Sequence, residues 1–97
     1  MQVIVAGTME VAPEDRDTFL ADRAGLVRRS LAEPGCLVYT FTADPLTPGL
    51  VRLFELWESE EALAVHAQGL AADPPTQTVE LLRRELTTYR VLDSQPM

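Results

Sequence analysis

Three side chains near the middle of the chain carry groups that could line a chemical site, two of them able to exchange protons. They are the carboxylate of Glu55, the indole of Trp57 and the chain's one imidazole, His66. Between Leu50 and Gln68, Val51, Leu53, Glu55 and Trp57 alternate with Arg52, Phe54, Leu56 and Glu58, the period of a β-strand. Both sets are largely apolar, which predicts a central strand covered on both sides. Ser59 stands where a helix N-cap belongs, and Glu60 and Glu61 fall in the first turn, where the helix dipole favours negative charge. The helix that follows places Leu63, His66, Ala67 and Leu70 on one side. A strand face with a carboxylate and an indole thus runs into a helix whose inward side carries an imidazole, a lining suited to a small-molecule pocket.

The remaining elements must position these groups. Gln2 to Val11 reads as a first strand, with Val3, Val5 and Met9 alternating with Ile4, Ala6 and Thr8. Gly7 interrupts it and marks a bulge or a close approach by another segment. Pro13, Glu14 and Asp15 suit a helix start. That helix runs to about Ala32 with Leu20, Ala24, Val27 and Leu31 as its buried stripe and Phe19 beside it; Gly25 inside it points to close packing. Glu33-Pro34-Gly35 stops the helix. Cys36 to Ala43 is a second strand with Leu37, Tyr39 and Phe41 on one face. The breaker-rich Asp44 to Gly49 makes a hairpin with the strand that follows. After Asp73-Pro74-Pro75, Thr76 caps a short helix over Gln77 to Arg84. Leu86 to Leu92 is a fourth strand with Tyr89 and Val91 on one face, and residues 93–97 are a loose tail.

The order β-α-β-β-α-(α)-β is the split β-α-β pattern of ferredoxin-like α+β folds, in one domain over residues 1–97. It predicts a four-stranded antiparallel sheet with both helices on one face. Strands with two apolar faces then leave one face bare, and in so short a chain a second copy must cover it, which predicts a homodimer with sheets face to face.

Composition removes other classes. A net charge of −7 without a basic cluster disfavours nucleic-acid binding. No apolar run approaches a membrane span, and Met1 to Gly7 reads as a strand and not a signal peptide, so the expectation is a cytoplasmic protein. One cysteine, Cys36, forbids an internal disulfide, and one histidine without a cysteine partner argues against a transition-metal site.

The sequence resembles the antibiotic biosynthesis monooxygenase domain, a family of dimeric α/β barrels. The likeness rests on Glu33-Pro34-Gly35-Cys36 followed by Tyr39, on Phe54-Glu55-Leu56-Trp57 with Ser59 and Glu61-Ala62-Leu63, and on His66. The resemblance implies an oxygenase that needs no cofactor and acts with O₂ on a small electron-rich aromatic, a quinol or an anthrone. The substrate anion itself reduces O₂, so the protein supplies a base, oxyanion donors and a dry pocket. On this reading His66 is a base or hydrogen-bond donor, Glu55 orients it, and Trp57 is an aromatic wall. Tyr39 and Tyr89 as hydrogen-bond donors rest only on their strand faces. The haem-degrading branch of the family is a poor match: its asparagine, tryptophan and ligating histidine fall at Gly7, His66 and Thr76.

Plainer readings stand beside each of these. A single histidine on an apolar helix face is commonly a hydrogen-bonded core residue. Glu55 can pair structurally with Arg90 or with Arg52 of a second copy. The same pocket also suits a binding domain without catalysis, or an isomerase in which His66 shuttles a proton and oxygen plays no part.

Overall fold

β1 (Val3–Glu10) takes the middle of the sheet, and its alternation shows why: Val3, Val5 and Met9 are buried on one face. In the computed structural model, which describes all 97 residues, a single 3₁₀ turn at Pro13–Asp15 leads into α1 (Arg16–Leu31). Then come β2 (Cys36–Ala43), β3 (Leu50–Trp57), α2 (Glu60–Ala72) and β4 (Arg83–Arg90). The strand order is β2-β3-β1-β4, and every neighbouring pair is antiparallel. Each helix joins two strands that flank a third, the ferredoxin-like arrangement the element order predicts. Phe19 and Leu26 of α1 and Leu63 and Leu70 of α2 pack into one core with Val3, Met9, Val51, Leu53 and Trp57, so both helices cover the same sheet face. No helix is long and apolar enough to cross a membrane.

Two glycines fix close approaches. A Cβ on Gly7 would stand 1.9 Å from the Glu85 carbonyl oxygen, so β4 can pair with β1 only because that position is bare. Gly35 turns the chain at φ 84°, and a Cβ there would lie 2.7 Å from the Ala62 Cβ. The Glu33-Pro34-Gly35 turn is thereby pressed against the start of α2, and the Glu58 N–H donates to the Gly35 carbonyl at 2.8 Å. Ser59 caps α2 as predicted, its hydroxyl accepting from the Ala62 N–H at 3.1 Å.

Four expectations need correction. The helix over Gln77 to Arg84 does not form. β4 begins at Arg83 because the free edge of β1 takes it up, with Glu10 opposite Arg83 and Leu82 N–H donating to the Glu10 carbonyl at 2.8 Å. Tertiary pairing overrides a weak local helix signal here. The buried stripe of α1 is Phe19, Arg23, Leu26 and Ser30, one residue earlier than predicted; Ala24 is exposed, Leu31 is 49% exposed, and Gly25 faces open space with no packing neighbour. In α2, Ala67 is exposed and His66 alone is buried. In β2 an irregularity between Cys36 and Val38 puts Cys36 opposite Trp57, and Leu37 is left half exposed while Tyr39 and Phe41 keep the inward face.

The outer sheet face carries Ile4, Ala6, Val38, Phe54, Leu56 and Tyr89 in adjacent register and has no helix over it. The molecule is a slab of 39 × 34 × 19 Å. Its accessible surface of 6274 Å² exceeds the ~5,500 Å² that size scaling gives a monomer of this mass.

Candidate functional site

His66 is the one fully buried side chain of α2, and it is 3% exposed. Its Nδ1 lies 2.8 Å from Glu33 Oε2. A carboxylate oxygen only accepts, so Nδ1 carries the hydrogen; in the neutral ring Nε2 is then an acceptor. That Nε2 is buried and has no partner. The imidazole is boxed by aromatics, with ring centroids 4.7 Å from Trp57 and 5.3 Å from Tyr39. The sequence reading gave the orienting role to Glu55. Glu33 holds it instead, delivered by the turn at Gly35.

Glu55 makes a different contact. It is 5% exposed, and its Oε1 accepts the Trp57 Nε1–H at 2.9 Å. Burial pushes its carboxyl above the ordinary carboxylate range, against the pull of the Trp57 hydrogen bond and of His66 and Arg84 nearby. No arginine forms an ion pair with it within this chain: Arg52 binds Asp44 at 3.0 Å, and Arg90 binds Glu60. Tyr39, opposite Glu55 across the β2–β3 ladder, is 4% exposed. Burial and the adjacent Glu55 hold its hydroxyl far above the usual phenol range, so it stays a protonated donor.

A cavity of about 240 Å³ opens beside these two residues, between sheet and helices. Its apolar wall includes Met9, Leu53 and Leu86 from the sheet and Leu26 from α1. Pro75 and Leu81 close it from the irregular segment between α2 and β4, which is pinned to α1 by Thr78 N–H to Asp22 at 2.8 Å and Arg29 to Asp73 at 3.1 Å. The polar wall is Glu55, Tyr39, Arg23, Arg84 and Gln77. Trp57 and His66 do not line it; they stand behind Glu55 and Tyr39 and touch the cavity only through them.

Of the five residues singled out in the sequence, four therefore cluster: Glu55, Trp57, His66 and Tyr39. Tyr89 does not join them. It registers opposite Ile4 on the outer face and is 53% exposed. Three site residues escaped the sequence reading. Glu33 stood in the helix-stopping turn, and Arg84 was the last residue of the helix expected over Gln77 to Arg84. Arg23 falls outside a stripe defined by hydropathy; its signal is its place four residues after Phe19 and three before Leu26, on the same helix face.

The chain belongs to the antibiotic biosynthesis monooxygenase family, whose sequence profile matches residues 2–72. Among curated relatives, the uncharacterised protein sll1783 of Synechocystis is 33% identical over 66 residues, 68% of this chain and 45% of its own length. The chain thus spans less than half of that relative. The uncharacterised protein YjcS of Bacillus subtilis is 29% identical over 89 residues, 90% of this chain and 77% of its own. Among solved structures, Rv0793 of Mycobacterium tuberculosis superposes with a TM-score of 0.74 at 24% identity, covering 97% of this chain and 98% of that one. A conserved protein of Methanosarcina mazei Go1 gives 0.72 at 22%, covering 93% and 92%. At these identities the structural matches speak to the fold.

Proposed function

We propose that the protein is a cofactor-independent monooxygenase acting on a small aromatic of the quinol type. The observation that carries this reading is a buried carboxylate, Glu55, held on one oxygen by Trp57, ion-paired to no arginine and facing a largely apolar cavity. Such a carboxylate is a strong base for its type, because burial raises the affinity of the ionised form for a proton.

A 150 Å³ cavity accommodates benzene, so the volume here suits a fused bicyclic better than the three rings of an anthrone. With a naphthohydroquinone the steps balance. Glu55 takes a phenolic proton, and the electron-rich anion reduces O₂ and bonds to it at ring carbon. The O–O bond then breaks, one oxygen atom remaining as a hydroxyl on the quinone and the other leaving as water. All four electrons that O₂ takes up come from the substrate, two as hydroquinone becomes quinone and two as a ring C–H becomes C–OH, with no external reductant. Tyr39 donates to developing negative oxygen, and the Glu33–His66 pair sets the charge behind Glu55 without touching substrate.

Oxygen uptake tests this on metal-stripped protein with 1,4-naphthohydroquinone and anthrone, autoxidation subtracted. Uptake above control that falls in His66→Ala is expected. Rates that do not depend on oxygen would favour the isomerase, and ligand-induced thermal stabilisation without turnover would favour a binding domain. The reading also takes two copies to cover the outer sheet face, where Phe54 and Tyr89 lie open. Sedimentation at micromolar concentration should then give twice the 10.7 kDa chain mass; a clean monomer would contradict the paired sheets.

A further inference from the structure

Arg23 is the most unusual side chain in the cavity. It projects from α1 into the core and is 5% exposed. No carboxylate meets it, although the chain has fifteen. Its neighbour Asp22 turns outward to the Thr78 N–H and hydroxyl, both at 2.8 Å. The guanidinium lies 4.8 Å over the Phe19 ring, and Nη2 donates to the Thr76 carbonyl. The buried Nε–H has no acceptor at all. Buried cations are paired as a rule, and an arginine left with unspent donors at a cavity wall is short of an anion. Glu55 lines the same cavity and does not bind it.

We infer that the cavity takes its ligand as an anion, with the Arg23 guanidinium holding an ionised oxygen of an aromatic enolate, phenolate or carboxylate. The inference deepens the proposed function, since it takes the ligand of that same cavity to be a small aromatic. The planar fork of arginine suits such oxygens, and the burial of Arg23 strengthens the contact. Arg23 on the helix side and Glu55 on the sheet side then grip two ends of one ring system: an oxygen already ionised at Arg23, and an oxygen that still carries its proton at Glu55. Arg84 is the only other cation on the wall; it is exposed and has solvent to satisfy it.

Calorimetric titration tests the assignment without turnover. The probes are 2-naphthoate and 2-hydroxy-1,4-naphthoquinone, a carboxylate and an enolate at neutral pH, against the neutral 2-naphthamide. Wild type should bind at least one anion about tenfold or more tightly than the amide, and which anion it prefers distinguishes carboxylate from enolate. Arg23→Gln should bind the amide unchanged and lose the preference, while Arg84→Gln keeps it. Equal affinities in wild type would overturn the inference. So would a preference that survives in Arg23→Gln or disappears in Arg84→Gln. Should Arg23→Gln fail to fold, the wild-type and Arg84→Gln titrations decide between the same outcomes. Anion-selective binding without oxygen uptake would sink the oxygenase and leave this site standing; uptake without selectivity would do the reverse.

Discussion

Glu55→Gln should lower oxygen uptake by about 10²- to 10⁴-fold, the range for removing a general base, and should not weaken the fold at neutral pH. The two halves of that result have one cause. Burial raises the Glu55 carboxyl above its ordinary value of 4.5. A carboxyl whose proton is held more tightly in the folded chain than in the unfolded one contributes stability below the unfolded value. It loses that contribution as pH rises through the folded one. At neutral pH wild type therefore carries an ionised, poorly solvated group that glutamine replaces with a neutral isostere. The glutamine oxygen can still accept the Trp57 Nε1–H. Thermal unfolding of Glu55→Gln should match or exceed wild type at pH 7, with the difference vanishing below pH 4.5. Wild-type activity should rise with pH through the elevated Glu55 titration. A variant of full activity would remove Glu55 from the chemistry. One that unfolds at pH 7 would make it a structural residue.

Trp57→Ala should be the most damaging single substitution to stability, by about 3–5 kcal/mol, the usual loss for a buried aromatic. Trp57 is fully buried at the end of β3, edge-on to Tyr39 at 6.4 Å and tilted over His66 at 4.7 Å. Alanine leaves a void among these rings and strips Glu55 of its one hydrogen-bond donor. For a domain of this size the loss corresponds to a fall in Tm of more than about 10 °C. Trp57→Phe separates packing from polarity: most of the ring remains while the donor goes. It should cost less stability than alanine and should move the Glu55 titration further upward. Unfolding curves and the pH profile of uptake read these separately. An alanine variant within 1 kcal/mol of wild type would mean that the ring cluster is not the keystone of the inward face.

What could be read in the sequence follows from how strongly each segment announces itself. β3 was legible to the residue, since alternation from Val51 to Trp57 is unbroken and its inward set is the buried set. The cap at Ser59 and the turn at Gly35 have one physical meaning each, and both hold. α1 was placed correctly along the chain and rotated wrongly about its axis. Hydropathy assigns Leu20, Ala24, Val27 and Leu31 to the core, whereas the helix turns Arg23 and Ser30 inward. A pattern of apolar residues cannot find an inward arginine, and inward polar residues gather where a site departs from the rules of packing. The same limit hid Glu33, whose contact with His66 spans thirty-three positions and depends on a turn conformation. Tyr89 fell on the far side because β4 pairs with β1 from Arg83 onward and its even-numbered residues face the helices.

The proposed chemistry turns most directly on where the atoms of O₂ go. Wild-type protein, stripped of metal, should be given 1,4-naphthohydroquinone under ¹⁸O₂ and the product weighed by mass spectrometry. A monooxygenase delivers 2-hydroxy-1,4-naphthoquinone with one labelled oxygen, at a rate that collapses in Glu55→Gln. Unlabelled 1,4-naphthoquinone with an equivalent of labelled hydrogen peroxide would mean an oxidase, and no turnover above the autoxidation control would contradict the account.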